Sequence, residues 1–214
     1  MTHIHDGGDG GLDGGLDGGL SDSESARAGA EAAGCVESKD IYKGRVVHLS
    51  VDTVRFPDGS LGKMELIRHS GAAAVVPLLD WPAEADPQVV LLRQYRYASQ
   101  GYLLEIPAGR PDEGESWRDC AGRELEEETG YTAGNLMDLT RIYSSPGFTD
   151  EVIHLFLATD LRPGDTTFDD DEFIEPVTLR FSEALSRIGK GEILDAKTIC
   201  ALLFVRSFIT DLRR

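Results

Sequence analysis

Positive charge is what this sequence of 214 residues has least of: 21 lysines and arginines stand against 38 aspartates and glutamates, a formal net charge of −17. Nucleic-acid backbones and anionic lipids are bound through clusters of lysine and arginine, and the sequence contains no such cluster. Neither nucleic acid nor a membrane is therefore expected as a partner. Long apolar runs are missing too, none approaching the roughly 18 residues of a spanning helix, and no basic start leads into an apolar stretch. A cytoplasmic location is the expectation. The three cysteines, Cys35, Cys120 and Cys200, are odd in number and far apart. That spacing argues against a disulfide framework and against a CxxC zinc site.

Core-forming residues are almost absent from residues 1–38, a glycine- and aspartate-rich stretch with eight acids against Arg27. We expect a disordered tail there. Its GGLDGGLDGGL segment has a four-residue unit, too short for stacking calcium repeats built on nine residues, and His3 and His5 carry no assigned role. Residues 39–214 suit one domain with a real core and leave no room for a second. Within it, RVVHLSVDTVRF, PDGS and KMELIRHS read as strand, turn and strand. GAAAVVPLL, VVLLRQYRY and YLLEIP read as the strands of a central sheet, with further strands at NLMDLTRIYSS, VIHLFLATD and IEPVTLRF. Helices are predicted at SEALSRIGK and AKTICALLFVRSFITDL, the latter with Ile199, Leu202, Leu203 and Phe208 or Ile209 on one face. The result is a mixed sheet flanked by helices.

The chemistry-bearing text runs from Gly109 to Tyr131. Trp117, Cys120, Ala121 and Leu125 fall at helical spacing, with Ser116 as N-cap and Gly130 as stop. On that helix Glu124 and Glu128 are four residues apart and Glu127 is three from Glu124, so three carboxylates crowd one side. Like charges at this spacing each cost a helix a few tenths of a kcal/mol, a cost that a hard divalent cation reverses. Oxygen-only ligation suits magnesium or manganese, which fill their shells with water and phosphate oxygens. Arg123 supplies a rigid fork to hold a carboxylate. A solvated acidic helix face is the bland alternative for a bare run of glutamates. The fixed spacing of Gly109, Glu115, Arg123, Glu124, Glu127, Glu128 and Gly130 argues against it.

This stretch resembles the Nudix box of hydrolases that act on a nucleoside diphosphate linked to another moiety, with Tyr131 where the pattern has an aliphatic residue. Similarity to the ADP-ribose pyrophosphatase branch extends from about Lys43 to Leu203. Three segments carry it: LLRQYR with Arg96; SSPGFTDE, whose Pro146 follows Gly130 by sixteen residues; and DAKTICALL, given packing as its main job.

The resemblance implies an α/β fold, a Nudix-type α/β/α sandwich with a mixed sheet and an N-terminal antiparallel β extension that builds a homodimer. It implies Glu124, Glu128 and the Ala108 carbonyl as metal ligands, with Glu127 a close catalytic helper. Gly109, Glu115, Arg123 and Gly130 would set the geometry. Glu172, in the acidic loop Asp169 to Glu175, would assist a water as ligand or base, with Asp170 as fallback. Arg96 and Glu151 would orient substrate. The implied reaction is hydrolysis of ADP-ribose to AMP and ribose 5-phosphate with two or three Mg2+ ions, or Mn2+. The alternatives are hydrolysis of another nucleoside diphosphate-sugar and a non-catalytic ADP-ribose-binding regulatory domain.

Overall fold

The computed structural model describes residues 32–167 and 173–209. Its core is a four-stranded mixed sheet in the order β7-β4-β9-β8, made of β4 (Ala72–Pro77), β7 (Ala108–Gly109), β8 (Tyr131–Tyr143) and β9 (Val152–Pro163). β4 runs parallel to β9, and the other pairs are antiparallel. β4 is buried along its whole length and alternates between two cores. Ala73 and Val75 face α1 (Trp117–Thr129), meeting Cys120, Ala121 and Leu125. Ala74 and Val76 face the opposite side, where α2 (Phe181–Gly189) and α3 (Ala196–Phe208) close the second core with Phe181, Ala184, Ala201, Leu202 and Val205. One helix on one face and two on the other is the α/β/α layering expected.

β5 (Gln88–Arg96) and β6 (Gly101–Glu105) do not join that sheet. With β10 (Ile174–Arg180) they form a separate antiparallel sheet, β10-β5-β6, bridged just beyond the end of β4 by Leu78 and Val89. The expectation of one central sheet is corrected here. Both strands are apolar enough to be buried, and burial alone does not say which sheet receives them.

The third sheet, β1-β2-β3, is antiparallel and consists of β1 (Gly34–Lys43), β2 (His48–Arg55) and β3 (Leu61–Arg68). The β2–β3 hairpin closes at Pro57–Ser60, where Gly59 takes φ 84° and Asp58 Oδ1 accepts from the Ser60 amide at 3.0 Å. β1 begins five residues ahead of the expected domain start at 39, so Gly34–Ser38 belong to a strand. The sheet is tied to the core by Arg68, which pairs with buried Asp52 and with Asp150, and by the amide of Ile67, which donates to the Phe148 carbonyl at 2.8 Å.

On α3 the buried face is Thr198, Ala201, Leu202 and Val205. Leu203 and Phe208, expected on it, are exposed. A helix apolar on several sides gives no single stripe by which to choose.

Candidate active site

α1 is set at both ends by its own sequence. The Ser116 hydroxyl accepts from the Asp119 amide, and Gly130 closes the helix at φ 72° with its amide bonded to the Glu126 carbonyl. Leu125 and Ala121 lock the inner face into the core. That rotation turns Glu124, Glu127 and Glu128 toward the short strand β7, in a cleft of about 820 Å³, a size suited to a small-molecule ligand.

Glu128 is 2 % exposed, and its Oε2 accepts from the Ala108 amide at 2.9 Å. A charged side chain is rarely this buried without partners, and here it is held against the backbone of β7. Gly109 keeps this approach close: a Cβ built on it would overlap the Glu124 carboxylate, which would have to swing away from its place beside β7. The strand is itself held in place, the Pro107 carbonyl accepting from the Val75 amide at 3.0 Å.

Arg123 organises the acids. Its Nε and Nη2 meet Glu115 Oε1 and Oε2, each at 2.9 Å, a bidentate pair. Its Nη1 lies 2.8 Å from both Glu124 Oε1 and Glu127 Oε2. The Arg123 hydrogen bonds hold the Glu115 carboxyl down at about 2, against the opposing effect of partial burial. Beside them, burial and then the Glu124 charge push the Cys120 thiol up to about 12, which leaves it a packing group at neutral pH.

Of the substrate residues implied by resemblance, Arg96 and Glu151 both line the cleft. Arg96 reaches it from β5 while giving Nε and Nη2 to Glu105 Oε1 and Oε2, both at 2.9 Å. Glu151 sits with Oε1 3.4 Å from His69 Nδ1. Gly130, beyond its capping role, leaves room for the Gly164 carbonyl, which a Cβ would meet at 3.0 Å. Glu172 and Asp170 lie outside the described residues.

Sequence reasoning missed Glu105, Lys197 and Asp195. Glu105 is 2 % exposed and accepts from Lys197 Nζ at 2.5 Å. The available signal was an acid inside an apolar strand, YLLEIP, which burial permits only with partners. Burial on its own would raise the Glu105 carboxyl, but the hydrogen bonds and charges of Arg96 and Lys197 bring it below its ordinary value.

The NUDIX domain family model matches residues 69–202. The chain belongs to the NUDIX family. It is 37 % identical over 173 residues, 80 % of this chain and 91 % of the relative, to an ADP-ribose pyrophosphatase of Bacillus subtilis (strain 168). It is also 39 % identical over 173 residues, again 80 % and 91 %, to a methanol dehydrogenase activator of Bacillus methanolicus. A crystal structure of an ADP compounds hydrolase superposes with a TM-score of 0.71 at 22 % identity, covering 84 % of this chain and 95 % of the other, which places the fold. Nudix hydrolases generally depend on a divalent metal.

The residues present fit such an ion. Among the described residues no three acidic, histidine or cysteine side chains form a ready-made cage. Glu124, Glu128 and Ala108 nevertheless line one cleft, and the two carboxylates there are oxygen ligands. A hard cation that keeps water and phosphate in its shell needs only a few protein oxygens.

Proposed function

We propose that this NUDIX protein hydrolyses the diphosphate linkage of ADP-ribose, giving AMP and ribose 5-phosphate. The observation that carries the reading is the buried Glu128 carboxylate fixed against Ala108 and beside Glu124 in the cleft. Glu124, Glu128 and the Ala108 carbonyl would hold two or three Mg2+ ions, or Mn2+ in their place, together with substrate oxygens. Bound there, the metal supplies charge neutralisation for the diphosphate and lowers the pKa of a bound water. Glu115 and Arg123 keep the helix carboxylates in fixed rotamers, and Glu127 stays within reach of the same arginine. Arg96 directs its guanidinium toward the phosphates and Glu151 orients the ribose end. Glu172, with Asp170 as fallback, assists the attacking water.

Support for ADP-ribose comes from the name of the Bacillus subtilis relative, of which this chain spans most of the length. A panel of ADP-ribose, GDP-mannose and UDP-glucose, assayed with magnesium and with products separated by chromatography, tests it. ADP-ribose is expected to be cleaved fastest, with AMP and ribose 5-phosphate formed in equal amounts. A faster GDP- or UDP-sugar would remove the substrate assignment and leave the hydrolase. Binding of ADP-ribose without cleavage would replace the enzyme with a regulatory binding domain.

We also infer a cytoplasmic homodimer joined through the sheet β1-β2-β3. All ten residues of β1 are exposed, and Val36, Ile41, Tyr42 and Leu61 are each more than half exposed, apolar side chains that a partner copy would cover. The stretch before β1 lies outside the catalytic unit in this reading.

A further inference from the structure

The start of α3 holds a charged chain that the metal site does not use. Lys197 Nζ donates to Glu105 Oε2 at 2.5 Å and lies 3.1 Å from Asp195 Oδ1. Glu105 is the same carboxylate that receives both bonds from Arg96. Asp195 in turn caps α3, its Oδ2 accepting from the Thr198 amide at 3.0 Å and from Thr198 Oγ at 2.6 Å. Thr198 Oγ accepts from the Ile106 amide at 2.8 Å, two residues before Ala108. Arg96 and Lys197 both line the cleft, but the Lys197 and Glu105 side chains are only 12 % and 3 % exposed, whereas Arg96 is 41 % exposed.

Charge decides what this arrangement does. A lone Arg96–Glu105 pair is neutral and offers an incoming phosphate little attraction. With Lys197 on the same carboxylate, Glu105 is shared between two cations, and its hold on Arg96 is divided. Asp195 offsets less of this than its formal charge suggests, because it also faces the positive N-terminus of α3. A buried group of this kind fixes rotamers as well as charge, since every partner has a set direction.

We propose that Lys197 is a positioning residue for substrate, acting through Glu105 to present Arg96 to the phosphates with its charge available. The inference rests on the diphosphate-hydrolase reading above. A double-mutant cycle on the full chain tests it, with kcat and KM for ADP-ribose measured for Lys197→Met, Arg96→Ala and the pair. Lys197→Met is expected to raise KM about tenfold, the loss of one charged hydrogen-bond partner, and to leave kcat within about threefold. Lys197→Arg should recover most of that loss. In the Arg96→Ala background Lys197→Met should change KM by less than about twofold, because its effect passes through Arg96.

The same factor in both backgrounds would overturn the proposal, as would an unmoved KM accompanied by a lower Tm. Should Lys197→Met not fold, Lys197→Gln carries the same comparison. Wild-type turnover in the same assay keeps the two readings apart. If another diphosphate is cleaved, the cycle is run on that one. If ADP-ribose is bound but not cleaved, it is run on Kd. If nothing on the panel is cleaved or bound, both readings fall.

Discussion

Single residues here are fixed by partners that are near in the sequence in some cases and remote in others. Glu115 belongs to the first kind, eight residues from Arg123. Its carboxyl is lowered from 4.5 to about 2, by the Arg123 hydrogen bonds above all. A carboxylate whose folded pKa is depressed contributes stability that is complete above the unfolded value and disappears as pH falls through the folded one. The stability gap between wild type and Glu115→Gln, measured by urea unfolding, should therefore be constant from pH 7 to about 5 and shrink as pH drops toward 2. A gap that stays level across that range would remove the ion pair as its cause. Glu105 and Lys197 belong to the second kind, 92 residues apart. The carboxylates of the helix could be read from spacing, because i and i+4 neighbours are local geometry. The Glu105 cluster could not, because only the tertiary fold brings its members together.

At the scale of elements, legibility followed the same division. α1 was readable to its last residue since Ser116 and Gly130 are local capping signals. β1, with no buried residue and no alternation, carried no signal, and the two-residue β7 was too short for one. Strands buried on both faces, such as β4, lose the period that would assign them to a sheet. α1 also offers a direct test of how its C-terminus is held. Gly130 sits at φ 72° with the Gly164 carbonyl packed against it. Gly130→Ala should cost about 1–2 kcal/mol from the left-handed backbone alone, more with the crowding. Chemical denaturation reads this, and a change below about 0.5 kcal/mol would mean that the helix end is not strained by a side chain.

For the whole molecule, the acidic charge and the cleft set the terms together. A protein of net charge −17 that takes an anionic diphosphate needs cations in the cleft, and Arg45, Arg96, Arg110, Arg123 and Lys197 all line it. The exposed N-terminal sheet is the other large-scale feature. Light scattering on the full chain and on a chain starting at Ala32 should give twice the chain mass for both, with equal turnover of ADP-ribose. A monomer that retains full activity would remove the dimer from the account. Loss of turnover in the shorter chain would give the acidic stretch a part in catalysis.

Glu128, buried between helix and β7, would hold the metal that makes hydrolysis work. Turnover of ADP-ribose with magnesium, compared between wild type and Glu128→Gln, is the test. The amide keeps an oxygen for the Ala108 N–H, so the fold should survive while the charge is lost. We expect kcat to fall by about a hundredfold or more with Tm little changed. A Glu128→Gln enzyme within a few-fold of wild type would contradict it.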